Sequence, residues 1–314
     1  MIITAKDANR RLDKFLFQYL NAAPHSFVYK MLRKKRIKLN GNRAQGSEIL
    51  AVGDELKFYI SPETIDSFRK ARIIEKAKPL TDIVFEDEHF LVVNKPVGLP
   101  SHGGMDGKTD HLLARLLYYL YNSGAYAADA TFVPAICNRL DVNTSGLVVC
   151  GKNLNALQEM NALFADKGIK KEYIAVVDGV LGDVGSGKVL EGFYEKDTKN
   201  NIAKINANQF LPSPGSMNET IATTEYKILA ISRNKRYTLV QVNPITGRSH
   251  QIRAHFAAIG HPLAGDKKYG GSSKTPFAPA QLLHCKKLTI VQSGITWEAD
   301  VPKDMATCSR EWFR

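Results

Sequence analysis

Residues 138–146 read Asn138-Arg139-Leu140-Asp141-Val142-Asn143-Thr144-Ser145-Gly146, and the apolar run Leu147-Val148-Val149-Cys150 follows at once. The segment places one guanidinium and one carboxylate in a turn-rich stretch immediately before a strand. Four consecutive apolar residues bounded by turn signals predict a strand buried on both faces. Taken alone, Asp141 reads as a turn residue or helix cap, the ordinary fate of an Asp beside Asn, Thr, Ser and Gly.

On either side of this strand, other elements follow without a regular βαβ alternation. Ile83 to Pro96 predicts two strands around the acidic turn Glu86-Asp87-Glu88, with Gly98 and Pro100 ending the second. His111 to Tyr121 has helical spacing, with Leu112, Leu113, Leu116, Leu117 and Leu120 apolar. Asn153 to Phe164 predicts a second helix, and Arg248 to Ile259 a third. Tyr173 to Val177, Thr223 to Ile231 and Arg236 to Val242 predict strands. This mixture gives an α+β fold with a mixed, largely antiparallel central sheet flanked by helices and loops.

The first 60 residues read as a separate small α+β unit. Leu12, Phe15, Leu16, Tyr19 and Leu20 lie on one helical face; Pro24 interrupts, and Ser26 is the expected N-cap of a second helix carrying Val28, Met31 and Leu32. The other side and end of that helix hold Lys30, Arg33, Lys34, Lys35 and Arg36, five cations in seven residues. Ile37 to Arg43 alternates into an Asn-Gly turn, and Val52 to Ile60 gives a further turn and strand. Residues 61–79 are polar and bracketed by Pro62 and Pro79, which predicts a linker with room for one short helix. Residues 80–314 then form the main domain.

The chain has 314 residues, 43 Lys plus Arg against 31 Asp plus Glu, and a formal charge of +12. That balance favours an anionic partner, nucleic acid first, bound in a salt-dependent way. Cys137, Cys150, Cys285 and Cys308 form no C-x-x-C pair, which speaks against a zinc knuckle or a secreted disulfide framework. With no signal-peptide core and no stretch near the ~18 apolar residues of a membrane span, a cytoplasmic protein with no membrane partner is expected. No exposed heptad seam is evident, so a monomer with no obligate protein partner is expected.

Four stretches, in order, resemble the motifs of the RluA-type RNA pseudouridine synthases. They are VNKPVGLP at 93–100, NRLDVNTSG at 138–146, KKEYIAVVDG at 170–179, and ITGRSHQIRAHFAAIGHPLAGDKKYG at 245–270. The first 60 residues, from about residue 10, resemble the small αL-type, S-four-like RNA-binding module of a small-subunit ribosomal protein. The resemblance implies isomerisation of uridine to pseudouridine, with Asp141 as the essential carboxylate and Arg253 as its ion-pair partner. It leaves open whether Asp141 attacks the ribose, attacks the uracil or removes a sugar proton. It places Tyr173 against the uracil, with its phenol available for the late proton transfer from ring C5, and Arg139 either in the space the uridine vacates or on the flanking phosphate. Asn138, Arg248, His250 and the 30–36 cations are expected at the RNA. Asn138 stands where the family more often has His.

The reaction involves no redox step and no net hydrolysis, so no cofactor and no metal are expected. Ribosomal RNA of the large subunit is the expected substrate, with transfer RNA, or a non-catalytic RNA-binding role in ribosome assembly, as alternatives. Other chemistries fit less well. GGMDGKT at 103–109 is one residue short of a phosphate loop. His250, His255 and His261 lack the H-E-x-x-H spacing, and no G-x-S-x-G elbow is present.

Overall fold

A computed structural model of the chain describes residues 1–103, 110–206, 220–272 and 280–313. Leu12, Phe15 and Leu16 recur at helical spacing and are fully buried on α1 (Leu12–Tyr19). α2 (His25–Arg33) packs into the same core through Val28 and Leu32. Ser26 lies inside this helix rather than capping it. The cap position is Pro24, with φ −59 and no side-chain cap bond, since proline's fixed φ suits the approach to a helix and it has no N–H to satisfy. Asn40 and Gly41, at φ 51 and 77, make the two-residue turn between β1 (Ile37–Leu39) and β2 (Asn42–Arg43). β3 (Leu56–Phe58) pairs with the other edge of β1, completing a three-stranded antiparallel sheet. α3 (Pro62–Phe68) starts at Ser61, whose side chain accepts the Thr64 N–H, and rests Ile65 and Phe68 on that core. Residues 69–82 carry no regular element.

β4 (Ile83–Glu86) and β5 (Phe90–Lys95) form the hairpin expected around the acidic turn. α4 (Leu112–Asn122) buries Leu112, Leu116 and Leu120, and β6 (Ala135–Ile136) leads to β7 (Ser145–Gly151), buried along its whole length. α5 (Leu154–Ala165) is capped by the Asn153 side chain and is followed by β8 (Ile169–Asp178). Next come β9 (Gly187–Asp197), β10 (Ile202–Asn206), β11 (Thr220–Ile231) and β12 (Tyr237–Pro244). α6 (Gln251–Ala258), β13 (Leu283–Ile290), β14 (Thr296–Glu298) and α7 (Lys303–Phe313) complete the chain. Strands β6, β9, β10, β13 and β14 and helix α7 are additions to the elements expected from the sequence.

The larger sheet has the strand order β10-β9-β11-β12-β8-β13-β7-β5-β4, with β14 on β13 and β6 on β7. Each pairing is antiparallel except β13 with β7, where His284 and Cys285 run parallel to Ser145 and Gly146. Gly146 is required at that join: its φ is +118, and an added Cβ would lie 2.3 Å from the Cys285 carbonyl oxygen. Two apolar clusters flank the join. One gathers α4, β5 and β7; the other gathers β11, β12, α6 and Leu283. Tyr173 packs against both, so β8 carries it to the seam between them. No described helix is long and apolar enough to cross a membrane. Beyond Gly103, the stretch 103–109 lies outside the described residues.

Candidate active site

Asp141 sits on the loop between β6 and β7, and three sets of hydrogen bonds fix that loop. The Asn138 side chain donates to Leu147 O at 3.0 Å and accepts the Val149 N–H at 2.9 Å. Its amide is therefore engaged at both ends by the β7 backbone, which makes Asn138 a brace for the loop. Ser101 Oγ donates to Leu140 O at 2.8 Å and accepts the Leu140 N–H at 3.2 Å. The fully buried Lys95 donates to the carbonyls of Pro96 (2.9 Å), Leu99 (2.8 Å) and Val142 (3.1 Å). The VNKPVGLP stretch thus supports the loop next to Asp141 from below. Burial pushes the Lys95 pKa down to about 7, against the pull of Asp141.

Arg253, on α6, joins two carboxylates. Its Nη1 donates to Asp141 Oδ2 at 2.9 Å, while Nε and Nη2 fork onto Asp266 at 2.7 and 2.9 Å. A planar guanidinium fits this double task, and an ammonium does not. The ring of Tyr269 lies beneath it, 4.8 Å from Cζ to the centroid. Burial opposes the Arg253 charge, but Asp266 and then Asp141 outweigh it and raise its pKa. Asp266 is almost fully buried and received no role from sequence reasoning, although it lies within the GDKKYG stretch of the fourth motif. Gln251 anchors the start of α6: it accepts from Arg248 N–H and Thr246 Oγ1 and donates to Thr223 O and Thr224 Oγ1 of β11.

A cavity of about 380 Å³ opens beside the carboxylate, and Asn138, Arg139, Tyr173, Arg248 and His250 line it together with Asp141 and Arg253. Arg139 and Arg248 are exposed at its edge. Tyr173 and Lys171 reach it from the same face of β8, two residues apart. Burial, with Cys285 beside it, raises the Tyr173 phenol pKa well above its ordinary value, and burial lowers that of Lys171. A second cavity, about 630 Å³, also touches Asp141 and is lined by His102, Lys196, Lys267 and Lys268, none of which was singled out in the sequence. Lys30, Arg33, Lys34, Lys35 and Arg36 are exposed on and just after α2 and line neither cavity.

The histidines of the fourth motif go to separate partners. His250 Nδ1 meets Tyr269 Oη, His255 Nδ1 meets Thr224 Oγ1, and His261 Nδ1 meets Asp178 O. Among the described residues no group of three or more His, Cys, Asp or Glu is placed to hold a metal ion.

Comparison with known proteins bears on this geometry. Residues 89–258 match the RNA pseudouridylate synthase family, and residues 10–56 match the S4 domain. The chain is 34% identical to "Ribosomal large subunit pseudouridine synthase C" of Vibrio vulnificus, over 84% of this chain and 77% of that protein. It is 31% identical to "Uncharacterized RNA pseudouridine synthase YhcT" of Bacillus subtilis, over 97% of this chain and 96% of that one. In fold it is similar to human RNA Pseudouridylate Synthase Domain Containing 4, with a TM-score of 0.57 and 22% identity over 73% of this chain and 92% of the other. With a matching family over its catalytic core, an S4 domain before it and relatives aligned across most of their length, the chain belongs to the RNA pseudouridine synthases, isomerases that act on RNA.

Proposed function

We propose that the chain isomerises specific uridines in large-subunit ribosomal RNA, in the cytoplasm and as a monomer, with Asp141 as its nucleophile. The observation that carries this reading is the Asp141 carboxylate, paired with Arg253 at 2.9 Å and facing a cavity lined by Tyr173. The name borne by the Vibrio relative and the basic charge support the choice of RNA.

In this reaction the bond from ribose C1′ to uracil N1 breaks, the base turns, and C1′ joins C5. The C5 hydrogen leaves to solvent and N1 gains one, so there is no net oxidation. Each route open to one carboxylate, attack at C1′, attack on the ring or removal of a ribose proton, needs it ionised. An adjacent guanidinium favours that form. Tyr173 stacks on the uracil, a contact worth about 1–3 kcal/mol. Burial raises its phenol pKa, which favours the neutral phenol over the phenolate. Arg139 fills the space left when the uridine leaves its stack, an event that costs a few kcal/mol. Arg248 and the lysines of the second cavity face the flanking strand, where cations meet phosphates, and His250 lines both cavities together with Asp141. Residues 1–60 form the RNA-binding module, 61–79 the linker and 80–314 the catalytic domain.

The test is tritium release from a large-subunit ribosomal RNA transcript labelled at uridine C5, with wild type and Asp141→Asn side by side. Release by wild type alone is expected. Equal release by the Asn variant would remove Asp141 from its role. Release from transfer RNA but not from the transcript would reassign the substrate. No release from either RNA, or from ribosomal particles, would leave a binding role.

A further inference from the structure

One wall of the cavity beside Asp141 carries a chain of polar contacts from β10 to the carboxylate. Tyr269 Oη accepts the Ala203 N–H of β10 at 2.8 Å. A phenol oxygen that accepts in this way still has its own proton to give, and His250 Nδ1 lies 3.0 Å away. Burial raises the Tyr269 pKa, so that proton is present. An Nδ1 that accepts belongs to a neutral imidazole whose proton is on Nε2. Nε2 stands 3.8 Å from Asp141 Oδ1, the carboxylate oxygen that Arg253 leaves free.

The backbone and the charges around the ring agree with this arrangement. His250 occupies the left-handed region, φ 54 and ψ 18, at the cap of α6. A non-glycine residue persists there when its surroundings over-determine it, and such strain clusters at functional sites. Burial pushes the His250 pKa below its ordinary value. Asp141 opposes this, while Arg253 of α6, Lys268 of the loop before Tyr269 and Lys196 of β9 reinforce it.

We propose that Tyr269 locks His250 in its Nε2–H tautomer, and that His250 is a positioning residue presenting a donor to the second oxygen of Asp141. The inference rests on Asp141 being the reacting carboxylate, as proposed above. A shift of under about 1 Å brings Nε2 to ordinary hydrogen-bond distance, and such bonds tighten when substrate binds. With Arg253 on Oδ2 and His250 on Oδ1, the carboxylate is fixed in rotation. Because Ala203 belongs to β10, the β9–β10 hairpin is tied into the same chain.

The experiment uses the full chain labelled with ¹⁵N-histidine, as wild type and as Tyr269→Phe, which retains the ring beneath Arg253. Imidazole ¹⁵N shifts report which nitrogen carries the proton. Wild-type His250 is expected as the Nε2–H form, and the variant as a mixture. In single-turnover tritium release at saturating transcript, Tyr269→Phe is expected to be about 10- to 100-fold slower, the scale of a misplaced reacting group, with RNA Kd unchanged. His250→Ala should show the same loss. His250→Gln, which sets an N–H near the Nε2 position, should recover most of it. An Nδ1–H tautomer in wild type, or an unchanged saturating rate in Tyr269→Phe, would overturn the proposal. If wild type released no tritium from the transcript, from transfer RNA or from ribosomal particles, the enzymatic reading would fail instead, and the ¹⁵N result would still report the tautomer.

Discussion

Lys95 carries much of the burden of the site without entering its chemistry. It is fully buried, and its three N–H bonds go to three carbonyls, one of them Val142 next to Asp141. Lys95→Met removes those donors and strands the carbonyls, so stability should fall by about 2–4 kcal/mol. Urea unfolding measures this directly, and an unchanged midpoint would show that the loop stands without the clamp. The pH dependence has a definite sign. Burial pushes the folded-state pKa down to about 7, below the ordinary 10.5 of the unfolded chain. Between those values the unfolded chain binds the extra proton, so this group makes the fold more stable as pH rises through that window, and Lys95→Met should remove that contribution. Arg253 offers a second test. Arg253→Lys keeps a charge near buried Asp266 but loses the fork that serves both carboxylates. Saturating single-turnover rates should drop about 100-fold while RNA Kd stays within about twofold. A retained rate would mean that Asp141 is positioned without the guanidinium.

At the scale of elements, the join of β7 with β13 sets where the loop of Asp141 ends. Gly146→Ala puts a Cβ within 2.3 Å of the Cys285 carbonyl oxygen at a backbone angle of +118°, so the strands must part. We expect a loss of about 2–4 kcal/mol in denaturant unfolding, together with slower isomerisation; near-wild-type stability would mean that the join yields easily. The run Leu147–Cys150 announced β7 in the sequence, but nothing there indicated that β13 lies beside it in parallel, since the pairing spans about 140 positions and only two residue pairs. β13 was hidden by its own composition: Lys286 and Lys287 interrupt the apolar run, and the register shifts between Cys285 and Lys287. β9 was obscured because most of its residues are exposed and its alternation is weak. α7 was legible in principle, since Met305, Cys308 and Trp312 recur at three and four residues. Within the site, Asp141, Arg253 and Tyr173 could be named from their motifs, and the structure brings them to one cavity. Asp266, Lys95 and Tyr269 gained their roles only through contacts formed across the fold. Asn138, expected at the RNA from its place in the motif, also braces the loop through both ends of its amide on β7, which only the fold reveals.

At the scale of the whole molecule, two groups of cations should have separable effects. One is the ring of cations around Asp141, and the other is the cluster at 30–36, which lines neither cavity. Contacts cross between the N-terminal unit and the larger sheet domain: Arg72 donates to Ala130 O at 2.5 Å and to Gln18 Oε1 at 2.9 Å, Thr131 bonds Asp7, and Gln158 reaches Asn9 O at 3.3 Å. Cations presented on such a unit raise affinity for the RNA without touching the uridine that reacts. Replacing Lys34, Lys35 and Arg36 by Gln should therefore weaken RNA binding and flatten its dependence on salt. Each lost phosphate contact lowers the slope of log K against log salt by about 0.7–0.9, so three should lower it by about 2–3. The single-turnover rate at saturating transcript should stay within about twofold, because no group near Asp141 changes. A filter-binding titration across a range of salt, run beside the tritium assay, separates the two quantities. An unchanged slope would place the RNA footprint elsewhere. A lost saturating rate with an intact slope would mean that the cluster acts on the fold or on the site rather than on phosphates.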